Sequence, residues 1–221
     1  MNLAVSRPAL AWGPGAHIDY AMYALANASL AAPALKKLLQ RYPKDYLYGN
    51  IAADITLGKK FAGELYHCHN WNVAFPLFDK ATDDRGRAFI LGYLSHLSVD
   101  IIAHNFFVPF KTIRSFNTLT LKHTYWEIRY DDHMPDKVWK VLSEIASEDF
   151  SAHDILLETS LKKALFSFKT NKKIFNSLIV LQRMERWRKA SRILSMASRY
   201  ELNTQHVKQY KQLCYASILD F

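Results

Sequence analysis

Residues 136–221 contain neither glycine nor proline, although the whole chain has seven of each. Tight turns and two-residue hairpins depend on these residues, so the segment is a poor candidate for a β-sheet. Apolar residues recur there at helical spacing and predict long amphipathic helices near 136–148, 152–168, 172–202 and 204–218. Similar periodicity runs through the upstream part, where prolines fall near helix starts or breaks. The sequence therefore predicts an all-α fold.

Length and composition predict a single multi-helix domain. With 221 residues, of which 50% are hydrophobic, the chain can bury one sizeable core. We expect residues 1–135 to form a metal-binding core and residues 136–221 to form a basic helical region packed on that core or extending it. No stretch approaches about 18 consecutive apolar residues, so no transmembrane segment is indicated. Two cysteines, Cys68 and Cys214, are too few for a disulfide framework.

Three polar residues share one face of an otherwise apolar helical segment. His96, Asp100 and His104 follow one another at intervals of four in FILGYLSHLSVDIIAHNFF. Each step of four turns a helix by only about 40° and climbs about 6 Å, so the outer pair lies about 12 Å apart at the Cα atoms. One metal ion cannot easily take all three side chains. The spacing predicts two or three ions in a row, with Asp100 bridging and the two histidines binding different ions.

The alternative to a metal site is a polar group buried in the core. A lone histidine on an apolar helix is more often a hydrogen-bonded core residue than a ligand. An aspartate flanked by two histidines would instead bury several unpaired polar groups at a high cost, and a metal would supply their partner. His123 and Glu127 repeat the offset of four and can close the far ion with His104. Zinc accepts imidazole and carboxylate, and paired zinc ions clamp phosphoryl oxygens, so phosphoester hydrolysis is the leading chemistry.

Further motifs surround this segment at a recognisable order and spacing. They are AWGPGAH with Trp12 and His17, YGNIAADI with Asp54, YHCHNW with His69, GYLSHLSVDIIAH with His96, Asp100 and His104, and HTYWE with His123 and Glu127. Each motif alone is weak, but their order and spacing together are specific. The set resembles the zinc-dependent phospholipase C family, whose fold is shared with the secreted single-strand-specific zinc nucleases.

The resemblance implies three zinc ions and makes Asp54 the candidate general base for the attacking water. It implies the following ligand sets: Asp54, His69, His96 and Asp100 for one ion; the Trp12 backbone, His17 and Asp100 for a second; and His104, His123 and Glu127 for a third.

Two departures from the family pattern bear on these sites. In well-known members the ligand after the bridging aspartate follows by six residues, whereas His104 follows Asp100 by four, so the third ion is expected to sit differently. Those members also use the free amino group of a tryptophan exposed by signal cleavage, whereas Trp12 follows eleven residues and its nitrogen is an amide. Without cleavage, the site on His17 is expected to be weak or empty, which would leave a two-metal centre.

The first eleven residues do not decide the cellular compartment in which the protein works. The ALA before Trp12 looks like a small-residue cleavage site, but MNLAVSRPALA lacks the apolar region of about 7 to 15 residues that a signal peptide needs. Either the true start lies upstream, which would fit the secretion usual in the family, or no cleavage occurs and the chain as written is cytoplasmic.

Four histidines outside the proposed ligand sets need an interpretation. His67 and His69 both lie in YHCHNW, and we choose His69 as the ligand because Asn70 and Trp71 follow it as in the family's His-x-Trp. The others have no partner at metal spacing and are interpreted as surface or core residues: His133, His153 and His206.

Charge is unevenly distributed along the chain. The net charge is +9, and residues 136–221 hold 15 Lys or Arg against 9 Asp or Glu. Between Lys169 and Arg192 there are eight basic residues, opposed only by Glu185. This basic amphipathic helix could contact an anionic membrane surface or nucleic acid, or it could be a solvated helix face. In each case an anionic phosphate substrate would be attracted.

The substrate class is decided by resemblance alone. Aromatic residues near the motifs suit a lipid headgroup pocket, a base-stacking platform or simple core packing. The GYLSHLSVDIIAH segment looks closer to bacterial phospholipases than to the nucleases, which favours cleavage of phospholipid headgroups by metal-activated water. Two alternatives stay open, a single-strand nuclease and a zinc-stabilised helical interaction protein without catalysis. The presence of Asp54 beside the other ligands favours an enzyme.

Overall fold

The computed structural model describes residues 12–55, 71–113, 122–160, 168–183 and 202–221, with the single positions 189, 193 and 200. These residues form helices and include no strand, so the predicted all-α fold is confirmed. In chain order the helices are α1 Pro14–Ala26, a 3-10 turn Ala28–Leu30, α2 Pro33–Arg41, α3 Pro43–Ile55, α4 Trp71–Lys80, α5 Asp84–Ile102, a π turn Ala103–Phe107, α6 Val108–Ile113, α7 Lys122–Asp131, α8 Asp136–Ser147, α9 Ser151–Ser160, α10 Phe168–Arg183 and α11 Thr204–Asp220.

Helix starts follow from local sequence. Proline occupies the first position of α1, α2 and α3, where its missing N–H costs nothing because that group has no partner inside the helix. Asp83 caps α5 by accepting a hydrogen bond from the Gly86 amide at 2.7 Å. Asn203 caps α11 in the same way, through the His206 amide at 2.8 Å.

The pair α3 and α5 makes the most extensive contact between described helices. A Cβ atom at Gly49 would lie 2.0 Å from the carbonyl oxygen of Phe89, and one at Gly92 would lie 2.0 Å from that of Tyr46. Both distances are far below any van der Waals contact. The two backbones therefore touch at this crossing, and each glycine is needed because the partner's backbone fills the space of a side chain.

These two helices run in the same direction. Near their N-terminal ends, Arg85 Nε donates to Asp45 Oδ1 at 3.1 Å. Further along, His96 Nδ1 lies 2.7 Å from the carbonyl oxygen of Asn50. Their C-terminal ends consequently lie together. Asp54, near the end of α3, and Asp100, near the end of α5, are thereby brought into one site.

Helices after residue 135 pack on helices before it. Tyr48 of α3 donates a hydrogen bond to Asp154 of α9. Tyr215 of α11 donates to Asp19 of α1 at 2.7 Å. Side chains of α8, including Trp139, are buried beside α1. The division of the chain at residue 135 stays a prediction.

The predicted helices 136–148 and 204–218 are found as α8 and α11. Of the predicted helices 152–168 and 172–202, the described parts are helical in α9 and α10, and most of the rest of residues 161–201 lies outside the described residues. Cys214 is a buried free thiol, and Cys68 lies outside the described residues. Within the described part of the chain, no helix is long and apolar enough to cross a membrane.

Candidate metal centre

Four side chains from three helices meet where α3 and α5 end. His17 lies on α1, Asp54 on α3, and His96 and Asp100 on α5. Each of them exposes at most 4% of its surface. Burial of two imidazoles and two carboxyl groups in one place is costly unless each polar atom finds a partner. The cluster therefore needs an explanation beyond packing.

The two oxygens of Asp100 face two different imidazoles. His17 Nε2 lies 3.3 Å from Oδ1, and His96 Nε2 lies 3.3 Å from Oδ2. His17 Nε2 also lies 4.0 Å from Asp54 Oδ2. Zinc binds such atoms at about 2.0–2.2 Å in tetrahedral sites, which places neighbouring ligand atoms about 3.3–3.6 Å apart. Ligand atoms of His17, His96 and Asp100 all lie within 4.8 Å of one another, so this donor set fits a metal ion.

The backbone of α3 sets the tautomer of His96. A carbonyl oxygen can only accept a hydrogen bond, so the 2.7 Å contact with Asn50 assigns the proton to His96 Nδ1. Burial lowers the pKa of His96, and the neighbouring His17 lowers it further, while Asp100 and Asp54 oppose the shift. The neutral ring turns the lone pair of Nε2 towards Asp100, which is the arrangement that a cation between the two atoms requires.

His17 has no comparable partner. Its ring stacks on that of His96, with centroids 3.8 Å apart and planes inclined by 16°. Neither of its ring nitrogens makes a hydrogen bond within the described part of the protein. Buried imidazole nitrogens are nearly always satisfied in native proteins. The unsatisfied nitrogens of His17, one of which lies 3.3 Å from a carboxylate oxygen of Asp100, indicate that the residues present suit a metal.

A π turn carries His104. The amide of Val108 donates to the carbonyl of Ala103, five residues earlier, and this wider turn continues α5. His104 Nε2 lies 3.8 Å from Asp100 Oδ2, and its side chain is 28% exposed. The departure from the family spacing, four residues instead of six, therefore coincides with a local change of helix type.

The remaining predicted ligands are placed in part. Glu127 lies on α7 and is buried, with 4% of its surface exposed. The side chain of His123, on the same helix, lies outside the described residues, as does His69. The third ion and the choice of His69 over His67 stay predictions.

Trp12 has a packing role besides its proposed backbone ligand role. Its indole Nε1 donates to the carbonyl of Val99 at 3.0 Å. Its ring lies against Tyr130 and Phe107, with centroid distances of 4.2 and 4.8 Å. These contacts fix the residue that precedes α1 beside α5. The proposed use of the Trp12 backbone as a ligand stays a prediction.

Asp131 is a positioning residue that the motifs did not identify. Its two carboxylate oxygens accept hydrogen bonds from the amides of Gly15 and Ala16, at 3.0 and 2.9 Å, and so cap α1 just before His17. Burial raises the pKa of Asp131 to about 7, although these two amide bonds oppose the shift. A signal was present, because Asp131 continues the spacing of four from His123 and Glu127.

The other histidines lie away from the centre. His153 is buried and its Nε2 lies 2.7 Å from Asp45 Oδ1, at the opposite end of the α3–α5 pair. His133 Nδ1 lies 2.9 Å from the carbonyl of Arg129, and His206 Nδ1 lies 3.2 Å from Lys111 Nζ. Their interpretation as core or surface residues agrees with these contacts.

Among known protein families, the one described as zinc dependent phospholipase C matches residues 16–179, about three quarters of the chain. The match includes His17, Asp54, His96 and Asp100 and extends into α10. No curated protein and no solved structure matches the chain.

Proposed function

Because the chain belongs to the zinc-dependent phospholipase C family, we propose that it is a phosphodiester hydrolase that cleaves phospholipid headgroups. The family implies a hydrolase that depends on zinc. The observation that carries the proposal is the buried group of His17, His96 and Asp100 at the end of α3 and α5.

His17, Asp54, His96 and Asp100 are the described residues that would hold zinc, with Asp100 as the bridge between two ions. His104 and Glu127 would contribute to a third. Zinc at these positions supplies Lewis-acid chemistry, since it lowers the pKa of a water molecule and binds phosphate oxygens. The protein's own contribution is to hold the ligands in one orientation, through the Asn50 carbonyl behind His96 and the helix cap that Asp131 gives to α1.

Asp54 is the proposed general base. It lies at the end of α3, is 4% exposed, and its Oδ2 is 4.0 Å from His17 Nε2. A carboxylate at this position can accept a proton from the attacking water or orient that water towards the phosphorus. The net charge of +9 supports attraction of an anionic phosphodiester to this site.

The basic stretch 169–192 is a proposed secondary contact with an anionic membrane surface. Within α10, Lys169 and Lys173 are exposed. Lys172 instead pairs with Asp154 at 2.6 Å and lies over the ring of Tyr48. The exposed lysines support an electrostatic contact of about 1 kcal/mol each near an anionic leaflet.

The test combines metal content with hydrolysis. We expect protein purified without chelator to contain two or three zinc ions and to release the headgroup from a dissolved short-chain phosphatidylcholine. Asp100→Asn should lose the zinc and at least about a hundredfold in turnover, because both imidazoles face this carboxylate. Asp45→Asn is the matched control, since Asp45 is a buried aspartate at the other end of α3.

Three results would contradict the proposal. Asp100→Asn with full zinc and full turnover would remove Asp100 from the site. Hydrolysis of single-stranded DNA without hydrolysis of phospholipid would favour the nuclease alternative. A folded wild-type protein that does not bind zinc and hydrolyses neither substrate would favour the alternative of a helical interaction protein without catalysis.

A further inference from the structure

An exposed apolar face runs along the same helical segment that carries the metal centre. α5, the π turn and α6 follow one another without a break from residue 84 to residue 113. Four large apolar side chains on this segment face solvent: Ile101, Phe106, Phe110 and Ile113, with 42%, 55%, 40% and 86% of their surfaces exposed. We call these four residues the apolar ridge.

The π turn keeps the ridge on one side of the segment. Positions 101, 105, 106, 109, 110 and 113 are exposed, whereas positions 103, 107, 108 and 111 are buried. The extra residue in the π turn adjusts the rotation, so that the exposed positions before and after it stay aligned. Asn105 and Pro109 lie among the exposed positions, so this face carries no charged side chain between residues 101 and 110.

Such a face is unusual on the surface of a helix. A surface helix normally turns its apolar side to the core and its charged side to water. Here Ala103, Phe107 and Val108 are buried on the inner side, while the outer side is apolar as well. Grouped apolar exposure of this kind marks a surface that contacts another apolar phase.

We propose that the apolar ridge inserts into the surface of a phospholipid bilayer and thereby brings the metal centre to its substrate. This inference rests on the proposed function, because it takes the substrate to be a lipid held in a bilayer. Insertion of exposed aromatic and aliphatic side chains at the boundary between headgroups and acyl chains is the usual mode of interfacial helices.

Continuity with the site supports a bilayer as the partner. His104, whose side chain is 28% exposed, lies on the same segment between Ile101 and Phe106. Asp100 immediately precedes the first ridge residue. A bilayer that contacts the ridge therefore also lies next to His104, the partly exposed edge of the metal centre. A headgroup phosphate would have to enter at this edge.

Charge and shape support the same partner. The chain carries a net charge of +9, which attracts anionic lipid and supplements the burial of apolar side chains. The ridge consists of side chains that project from one helical segment. Projecting side chains suit penetration of a fluid lipid surface, whereas a peptide partner is usually received in a groove.

The experiment compares binding and turnover on two forms of the same lipid. Zinc-loaded protein is mixed with vesicles of phosphatidylcholine that contain a minor fraction of phosphatidylglycerol, and binding is measured by co-sedimentation. Hydrolysis is measured on these vesicles and on a dissolved short-chain phosphatidylcholine. The test variant is Phe106→Ser with Ile113→Ser, and the matched control is Leu30→Ser, because Leu30 is 74% exposed on the 3-10 turn.

We expect the double variant to bind vesicles at least about tenfold more weakly, because two large apolar side chains no longer leave water. Its turnover on vesicles should fall with binding, while turnover on the dissolved lipid stays at the wild-type value. Leu30→Ser should match wild type in both assays. Unchanged circular dichroism and unfolding temperature would show that the variants are folded.

Wild-type binding by the double variant would overturn the inference, and so would an equal loss in Leu30→Ser. Loss of binding in Lys169→Glu with Lys173→Glu, without loss in the ridge variant, would assign the contact to α10 instead. Failure of the proposed function is separate, because a wild-type protein without turnover on either lipid can still be scored for binding through the ridge.

Discussion

At the scale of single residues, His17 and His96 hold similar positions but are fixed in different ways. The Asn50 carbonyl fixes the ring of His96, whereas the ring of His17 is held by stacking on His96. His17 faces one oxygen of Asp100 and His96 faces the other. In the proposed arrangement Asp100 therefore bridges two ions, one held by His17 and one by His96.

Removal of His17 should therefore cost one zinc ion and leave the rest. We expect His17→Ala to contain one ion fewer per chain than wild type, because His96 and Asp54 remain as ligands of the other ion. Elemental analysis of the dialysed proteins measures this, with His133→Ala as a control outside the centre. Complete loss of zinc in His17→Ala would instead indicate a single shared ion.

Asp131 should make stability fall as the pH rises towards neutrality. Burial raises its pKa from 3.8 to about 7, so between these values the folded state binds the proton more tightly than the unfolded state. The stabilisation is fully present below the unfolded pKa and is lost as the pH rises through the folded pKa. The unfolding temperature of wild type minus that of Asp131→Asn should therefore be larger near pH 5 than near pH 8. The change corresponds to at most a few kcal/mol in the free energy of unfolding.

Asp149→Asn serves as the control for this titration. Hydrogen bonds from Ser151 lower the pKa of Asp149, so its removal should leave the profile between pH 5 and pH 8 unchanged. A constant difference between wild type and Asp131→Asn over the same interval would show that Asp131 does not titrate there.

Many residues of the centre could be predicted from the sequence, because the residue types that bind zinc and their spacing of four are read directly from it. His96 and Asp100 lie on one face of a helix as predicted. The Asn50 carbonyl could not be predicted, since a backbone group has no sequence signature. Asp131 could have been found from its interval to Glu127, but its contact with the start of α1 depends on tertiary packing.

At the scale of helices, the crossing of α3 and α5 sets the position of the centre. Gly92→Ala would place a Cβ atom 2.0 Å from the carbonyl oxygen of Tyr46, a backbone atom that cannot move without the helix. We expect a loss of more than about 3 kcal/mol in the free energy of unfolding, and a lower zinc content, because α5 must shift away from α3. Chemical denaturation and elemental analysis test this.

Gly86→Ala is the matched control on the same helix. A Cβ atom there would lie 3.2 Å from the Asp83 carboxylate oxygen that caps α5 and 3.3 Å from the Ala81 Cβ atom. Both are side-chain atoms that need to move by only a few tenths of an ångström. Alanine is also the better helix former by about 1 kcal/mol, so the change should be small or slightly stabilising. Equal destabilisation of the two variants would show that the Gly92 crossing is not tight.

Helix positions were largely predictable, whereas helix pairing was not. Proline and capping residues mark the starts of α1, α2, α3 and α5, and they are readable in the chain. The π turn was not predicted, because its one extra residue shifts the phase of the hydrophobic pattern only once, near the end of the helical segment. The close approach of Gly49 and Gly92 was not predicted either. It depends on the pairing of α3 with α5, and local sequence does not show which helices pair.

At the scale of the whole molecule, the centre joins α1, α3 and α5 and should couple zinc to folding. Chelation should lower the unfolding temperature, because buried groups such as the nitrogens of His17 would lose their partner. Added zinc should restore it, with about 2.7 kcal/mol gained at a hundredfold excess over the dissociation constant. Differential scanning calorimetry measures both, and Asp100→Asn should show no zinc-dependent shift. A wild-type protein indifferent to chelator would contradict this coupling.

The anchoring of Trp12 to Val99 has a practical consequence for producing the protein. The indole holds Trp12, two positions before the start of α1, next to Val99, the residue that precedes Asp100. A polyhistidine purification tag at the amino terminus would add zinc-binding imidazoles to this end of the chain, so zinc counts made on tagged protein would include ions held by the tag.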